Sequence, residues 1–145
     1  MIKNLSVSSI EKKINKAAVH NLVYKLKQEL NFDVVSVSIN FITCEEIIPI
    51  NNKYLGHNYS TDIITFNYSG ENYTLEGEIF ISLDDASFNA KKYKVDINIE
   101  LVRLVVHGFL HLLGYDDLTQ TDKKKMKRIE NKLVNKYQYS INKIC

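Results

Sequence analysis

Residues 101–113 are an almost unbroken apolar run whose main polar interruptions are Arg103, His107 and His111, with Gly114, Asp116 and Asp117 close behind. A run this apolar has to be buried, yet it is too short to span a bilayer, so it predicts the central helix of a packed core. Helical geometry, with about 1.5 Å of rise and about 100° of turn per residue, puts positions 107 and 111 on one face about 6 Å apart. Two imidazoles on so greasy a rod need a common partner, and a four-residue spacing followed by a carboxylate is a metal-ligand pattern. The competing arrangement is a hydrogen-bonded core pair.

The spacing has the register of the extended zinc-protease motif H-E-x-x-H-x-x-G-x-x-H, with two substitutions. Gly108 stands where that motif carries its general-base Glu, and Asp117 where it carries the third His. Gly114 keeps its place because a helix that ends in a left-handed residue favours Gly, and the reversal returns the following loop toward the ion. Asp116 competes with Asp117 as the loop ligand, or serves as a loop carboxylate that accepts from backbone amides. The register favours Asp117.

The string His107-Gly108-Phe109-Leu110-His111-Leu112-Leu113-Gly114-Tyr115-Asp116 resembles the H-G-x-L-H-L-x-G-Y-D-H signature of the YbeY family. Thr61-Asp62-Ile63-Ile64-Thr65-Phe66 is similar to the family's T-D-V-L-S-F strand, Gly77-Glu78-Ile79-Phe80-Ile81-Ser82 to its G-D-I-x-I-S strand, and Met126 falls where the family has Met. The resemblance implies a single-strand-specific, metal-dependent endoribonuclease of ribosomal RNA processing, acting in small-subunit 3′-end maturation and ribosome quality control. It implies one zinc ion per chain, and ribosomal RNA and the small ribosomal subunit as partners. Two positions depart from the pattern: Asp117 replaces the family's last His, and Leu55 follows Tyr54 where the family has Arg. A carboxylate is a competent zinc ligand, but it leaves the ion less positive than a third imidazole does, which weakens it as a Lewis acid. Leu55 removes a bidentate phosphate clamp, a role left to Lys53, His57 or Arg103.

The chemistry expected is phosphodiester hydrolysis with the ion on His107, His111 and Asp117. Asp116 is the candidate catalytic carboxylate. Arg103, four residues before His107 on the same face, is the candidate to steer a phosphate, against an i,i+3 ion pair with Glu100. Gly108 inside a helix costs about 1 kcal/mol against Ala, so something approaches its backbone closely, either substrate beside the ion or a packed strand. Lys123, Lys124, Lys125, Lys127 and Arg128 begin just after Asp117; such a run is a solvated face or a grip on an RNA backbone. The rival functions are a metalloprotease, which the absent Glu disfavours, a two-His, one-carboxylate iron site, and a non-catalytic ribosome assembly factor with a structural metal.

Composition sets the bounds. A 145-residue chain with 45% hydrophobic and 25% charged residues reads as one globular hydrolase domain over residues 1–145, and a net charge of +2 does not by itself announce nucleic acid. The first residues lack a signal-peptide core, which predicts a cytoplasmic protein without a membrane partner. Cys44 and Cys145 show no ligand spacing and default to free thiols, and His20 and His57 default to core residues. Ser8-Ser9-Ile10-Glu11 reads as a capping box for a first helix and Thr43-Cys44-Glu45-Glu46 for a second, which Pro49 should kink or shorten. Alternation at Val35, Val37, Ile39 and Phe41 predicts a strand, as do residues 61–68 and 73–83, with a bulge near Gly77. Asp84 or Asp85, Asp96, and Thr119 or Thr121 cap three further helices, the last with a core stripe of Met126, Ile129, Leu133 and Tyr137. The order α, β, α, β, β, α, α, α fits an α+β fold, helices packed on a small mixed sheet with a zinc-hydrolase-like ligand helix.

Overall fold

The computed structural model describes residues 2–145. Among them the elements run β1 Leu5–Ser9, α1 Lys16–Leu30, β2 Asp33–Ile42, α2 Cys44–Leu55, β3 Ile63–Asn67, β4 Thr74–Ser82, α3 Leu83–Tyr93, α4 Ile97–Leu112 and α5 Gln120–Tyr137. The architecture is the expected α+β one. The sheet is mixed, in the order β1-β2-β4-β3, with β1, β2 and β4 parallel and β3 antiparallel on the edge. No helix among the described residues is long and apolar enough to cross a membrane.

The chain opens on a strand, not on the expected helix. Leu5 and Val7 alternate with serines and pair with Val37 and Ile39 of β2. The Ser9 hydroxyl accepts from the Glu11 amide at 3.0 Å, a two-residue turn that competes with helix formation. Helix α1 starts later, where the Asn15 side chain accepts from the Ala18 amide at 3.1 Å. The irregularity expected near Gly77 lies instead in β2, between Val34 and Ser36. It turns Val34 into the core and leaves Val35 51% exposed, so the alternation that predicts the strand fails at its first residue.

The Thr43 capping box is present with Glu46 as its reciprocal partner. Helix α2 nonetheless runs past Pro49 to Leu55. Pro49 is exposed, so water can take the carbonyl that its ring leaves unpaired. Helix α3 is capped by Ser82, not by Asp84 or Asp85; Asp85 accepts from the Ser82 hydroxyl at 2.5 Å and from Ser60. Asp96 and Thr119 cap α4 and α5 as the sequence predicts.

Helix α4 is the spine of the core. Leu101, Val105, Val106, Phe109, Leu110 and Leu112 are fully buried, and Phe109 stacks on Phe32 with centroids 5.6 Å apart. Each such side chain contributes about 1.5 to 3 kcal/mol of transfer free energy. Gly108 faces the sheet: a Cβ there would lie 2.8 Å from Ile79 Cδ1 and 3.3 Å from Ile63 Cδ1. Packing against strands β3 and β4, not substrate access, therefore accounts for this glycine. The end of α4 is pinned by Asn67 of β3, whose amide donates to the Leu112 carbonyl at 3.3 Å, one of the acceptors a helix terminus leaves open.

Candidate metal centre

With α4 fixed on the sheet, His107 and His111 project from one face near its C-terminal end, and their Nε2 atoms lie 3.0 Å apart. Gly114 adopts φ +97°, and its amide and that of Tyr115 bond to the carbonyls of His111 and Leu110, reversing the chain as expected. The reversal brings Asp117 back, so that one ligand atom from each of His107, His111 and Asp117 falls within 4.8 Å of the others. The three residues can hold one metal ion. Asp116 is not in this group; its Oδ1 accepts from the Leu118 amide at 3.2 Å, which shapes the loop.

The proton arrangement leaves His107 suited to hold a cation. His107 Nδ1 sits 2.5 Å from Glu130 Oε1, and a buried carboxylate at that distance fixes the imidazole proton on Nδ1. The Nε2 lone pair of His107 then faces Nε2 of His111 at 3.0 Å, where it can accept from an Nε2–H tautomer of His111 or share a metal ion with it. Burial first, and the neighbouring His107 second, hold the His111 pKa below the ordinary histidine value, which keeps its imidazole neutral and available as a ligand.

Glu130 is the residue the sequence reading missed. It is 4% exposed, and it receives Arg103 Nη1 at 2.7 Å and Lys127 Nζ at 3.4 Å beside its His107 contact. Burial pushes its pKa up, but hydrogen bonds from His107 and Arg103 outweigh this and leave it below the usual carboxylate range. Arg103 Nη1 also donates to Asn131 at 2.7 Å, so the expected ion pair with Glu100 gives way to one with Glu130. Arg103 thus braces the carboxylate behind His107 while itself lining the cleft. The available signal was a lone Glu on the apolar face of α5, where Met126, Glu130, Leu133 and Val134 are buried.

A glutamine at position 130 would offer one acceptor oxygen to three donors. Glu130→Gln is therefore expected to weaken metal binding by about 10- to 100-fold, as read by competition with a chelator of known affinity. An unchanged affinity would exclude the bracing role.

Arg103, His107, Asp117 and Glu130 line a cleft of about 770 Å³ between α5 and the α3–α4 side. Asp117, Lys123, Lys124 and Lys127 line one wall, and Asp62, Asn89, Tyr93, Val95 and Glu100 line the other. Neither Lys53 nor His57 is among the lining residues: the Lys53 ammonium lies 5.2 Å from the Tyr54 ring, and His57 is exposed, not core, against Tyr59. His20 is buried and accepts from the Ile2 amide at 3.3 Å, the structural role expected of it.

Asn89 donates to Asp62 at 3.1 Å and to Glu100 at 3.5 Å. Burial raises the pKa of both carboxyls; His107 partly offsets the rise at Asp62, and the Asn89 bond and Arg103 partly offset it at Glu100. A raised folded-state pKa means that Glu100's contribution to stability is whole below its ordinary value of 4.5 and is lost as pH rises through the folded-state value. Glu100→Gln is accordingly expected to raise the urea midpoint at neutral pH, with the gain shrinking toward pH 4.5. A gain independent of pH would remove this explanation.

A mixed sheet that carries a two-histidine helix, with a loop carboxylate returned by glycine to the mouth of a cleft, defines a metal-site hydrolase of small α+β build. The family model described as Endoribonuclease YbeY matches residues 1–138. The chain is 34% identical over 135 residues to the Endoribonuclease YbeY of Chlorobium limicola, covering 93% of each, and 38% identical over 125 residues to that of Amoebophilus asiaticus, covering 81% of each. The solution structure of TM1509 from Thermotoga maritima matches with a TM-score of 0.67 and 27% identity, over 90% of this chain and 87% of that one. The chain belongs to the YbeY endoribonuclease family, hydrolases of RNA phosphodiester bonds.

Proposed function

We propose that this chain is a zinc-dependent endoribonuclease that cuts single-stranded ribosomal RNA, with small-subunit 3′-end maturation as its task and the small ribosomal subunit as its partner. The observation that carries the reading is the convergence of His107, His111 and Asp117 at a cleft whose α5 wall bears Lys123, Lys124 and Lys127. The donor set suits zinc: two imidazole nitrogens and a carboxylate leave one tetrahedral position for a reactant. When bound, zinc supplies Lewis-acid chemistry toward a phosphoryl oxygen and an attacking water.

The rest falls to the protein. Glu130 holds the His107 proton on Nδ1 and keeps Nε2 a donor, and Arg103 and Lys127 hold Glu130 in turn. Burial keeps His111 unprotonated near neutrality. The three lysines supply positive charge for the backbone of the strand, a task the exposed Leu55 cannot perform. Gly108, packed on the sheet, leaves no carboxylate where a metalloprotease has its general base.

The test is to strip the protein with a chelator and restore it with zinc or iron(II) against a precursor of small-subunit RNA. Zinc alone restoring cleavage is the expected result, and restoration by iron alone would overturn the metal assignment. Affinity for a single-stranded RNA should also fall with salt, and the triple change Lys123→Gln, Lys124→Gln, Lys127→Gln should flatten the log–log slope by about 2, at roughly 0.7 per phosphate contact. An unchanged slope would take α5 out of the RNA-binding surface.

A further inference from the structure

The two walls of the cleft are chemically unlike, and this bears on how a strand lies in it. The α5 wall is cationic, whereas the α3–α4 wall presents Asp62, Glu100 and the amide of Asn89 that bonds to both, and the Arg103 guanidinium of α4 is already paired with Glu130. A phosphodiester is drawn to the first and repelled by the second. A base is uncharged and carries hydrogen-bond donors, so it can face carboxylates.

At the rim of the carboxylate wall stands Tyr93, the last residue of α3, 62% exposed, with Val95 37% exposed beside it. Two exposed apolar side chains at the mouth of a charged cleft are not explained by core packing. Their backbone is held firmly. Lys94 takes the left-handed conformation at φ +56°, its amide bonds to the carbonyls of Ala90 and Lys91, and the Val95 amide bonds to Ala90 at 2.9 Å. A non-glycine residue pays for that conformation, so the corner that presents Tyr93 is a fixed one. The Lys92 ammonium lies 5.4 Å from the Tyr93 ring centroid, a contact that helps to hold the ring in place.

We infer that Tyr93, backed by Val95, is a stacking subsite for one unpaired base of the RNA, which orients the strand with its bases toward α3 and its phosphates toward α5. The inference rests on the reading of the cleft as an RNA site. It assigns a physical origin to single-strand selectivity, because a paired base in a duplex has no free face to offer the ring.

The chain has no tryptophan, so Tyr93→Trp installs a single indole reporter at the subsite. The probes are an uncleavable 2′-O-methyl oligomer of about eight nucleotides and an abasic oligomer of equal length and charge. The expected result is quenching of the indole by the base-bearing oligomer and not by the abasic one. In parallel, anisotropy of the end-labelled oligomer should show Tyr93→Ala binding about tenfold or more weakly than the parent, with Tyr93→Phe close to the parent. Equal quenching by both oligomers, or Tyr93→Ala binding like the parent, overturns the subsite and leaves the RNA reading in place. A parent protein that binds neither oligomer overturns both.

Discussion

His111→Ala is expected to empty the site of metal and to slow RNA cleavage by about a thousandfold or more, equivalent to about 4 kcal/mol of transition-state stabilisation. Two of the three ligand side chains come from a single helix, so losing one leaves an imidazole and an exposed carboxylate, too few to hold an ion against water. The fold should survive. The His111 side chain is only half-buried, so its truncation opens little cavity in the core. Metal content and cleavage measured together on the parent, His111→Ala and Asp117→Ala decide the matter. Equal metal stoichiometry in all three would exclude the ligand set, and loss of cleavage with full metal would mean that His111 acts by another route.

The second large effect lies away from the ligands. Gly77→Ala is expected to destabilise the protein by about 3 kcal/mol, at the upper end of what overpacking costs, and to weaken metal binding with it. A Cβ on Gly77 would sit 2.3 Å from the Phe66 carbonyl oxygen and 2.7 Å from Leu112 Cδ2. The first neighbour is backbone of the paired strand, since Asn67 is the register partner of Gly77, and it cannot yield without disturbing the edge of the sheet. The second is a fully buried side chain next to His111. Relief must therefore push β3 outward or lift the end of α4, and Asn67, which holds the Leu112 carbonyl, goes with whichever moves. Urea unfolding with and without zinc measures both consequences. A midpoint within experimental error of the parent would show that the strand pair can open at no cost.

What could be read from the chain beforehand was whatever lies close in sequence. Helix α4 is legible because its apolar residues recur at helical spacing between Asp96 and Gly114, and the candidate metal-holding group because His107, His111 and Asp117 span a single turn-and-loop. Strand β1 was not, since five residues of alternating apolar and serine character gain their structure from pairing with β2 some thirty positions later. Glu130 meets His107 across 23 positions, so only the docking of α5 on α4 reveals it. Gly108 inside a helix signals a close approach, but which partner approaches depends on where β3 and β4 pass. The acidic wall of Asp62 and Glu100 joins residues from a loop and a helix through Asn89 of α3, and no local pattern carries that.

The carboxylate of Glu130 belongs to α5 yet grips two side chains of α4, one of them a ligand. Seating the last helix and loading the ion therefore draw on the same free energy, and each strengthens the other. A cation held there would be a fastener as well as a reagent, and the C-terminal helix is the part expected to loosen first in its absence.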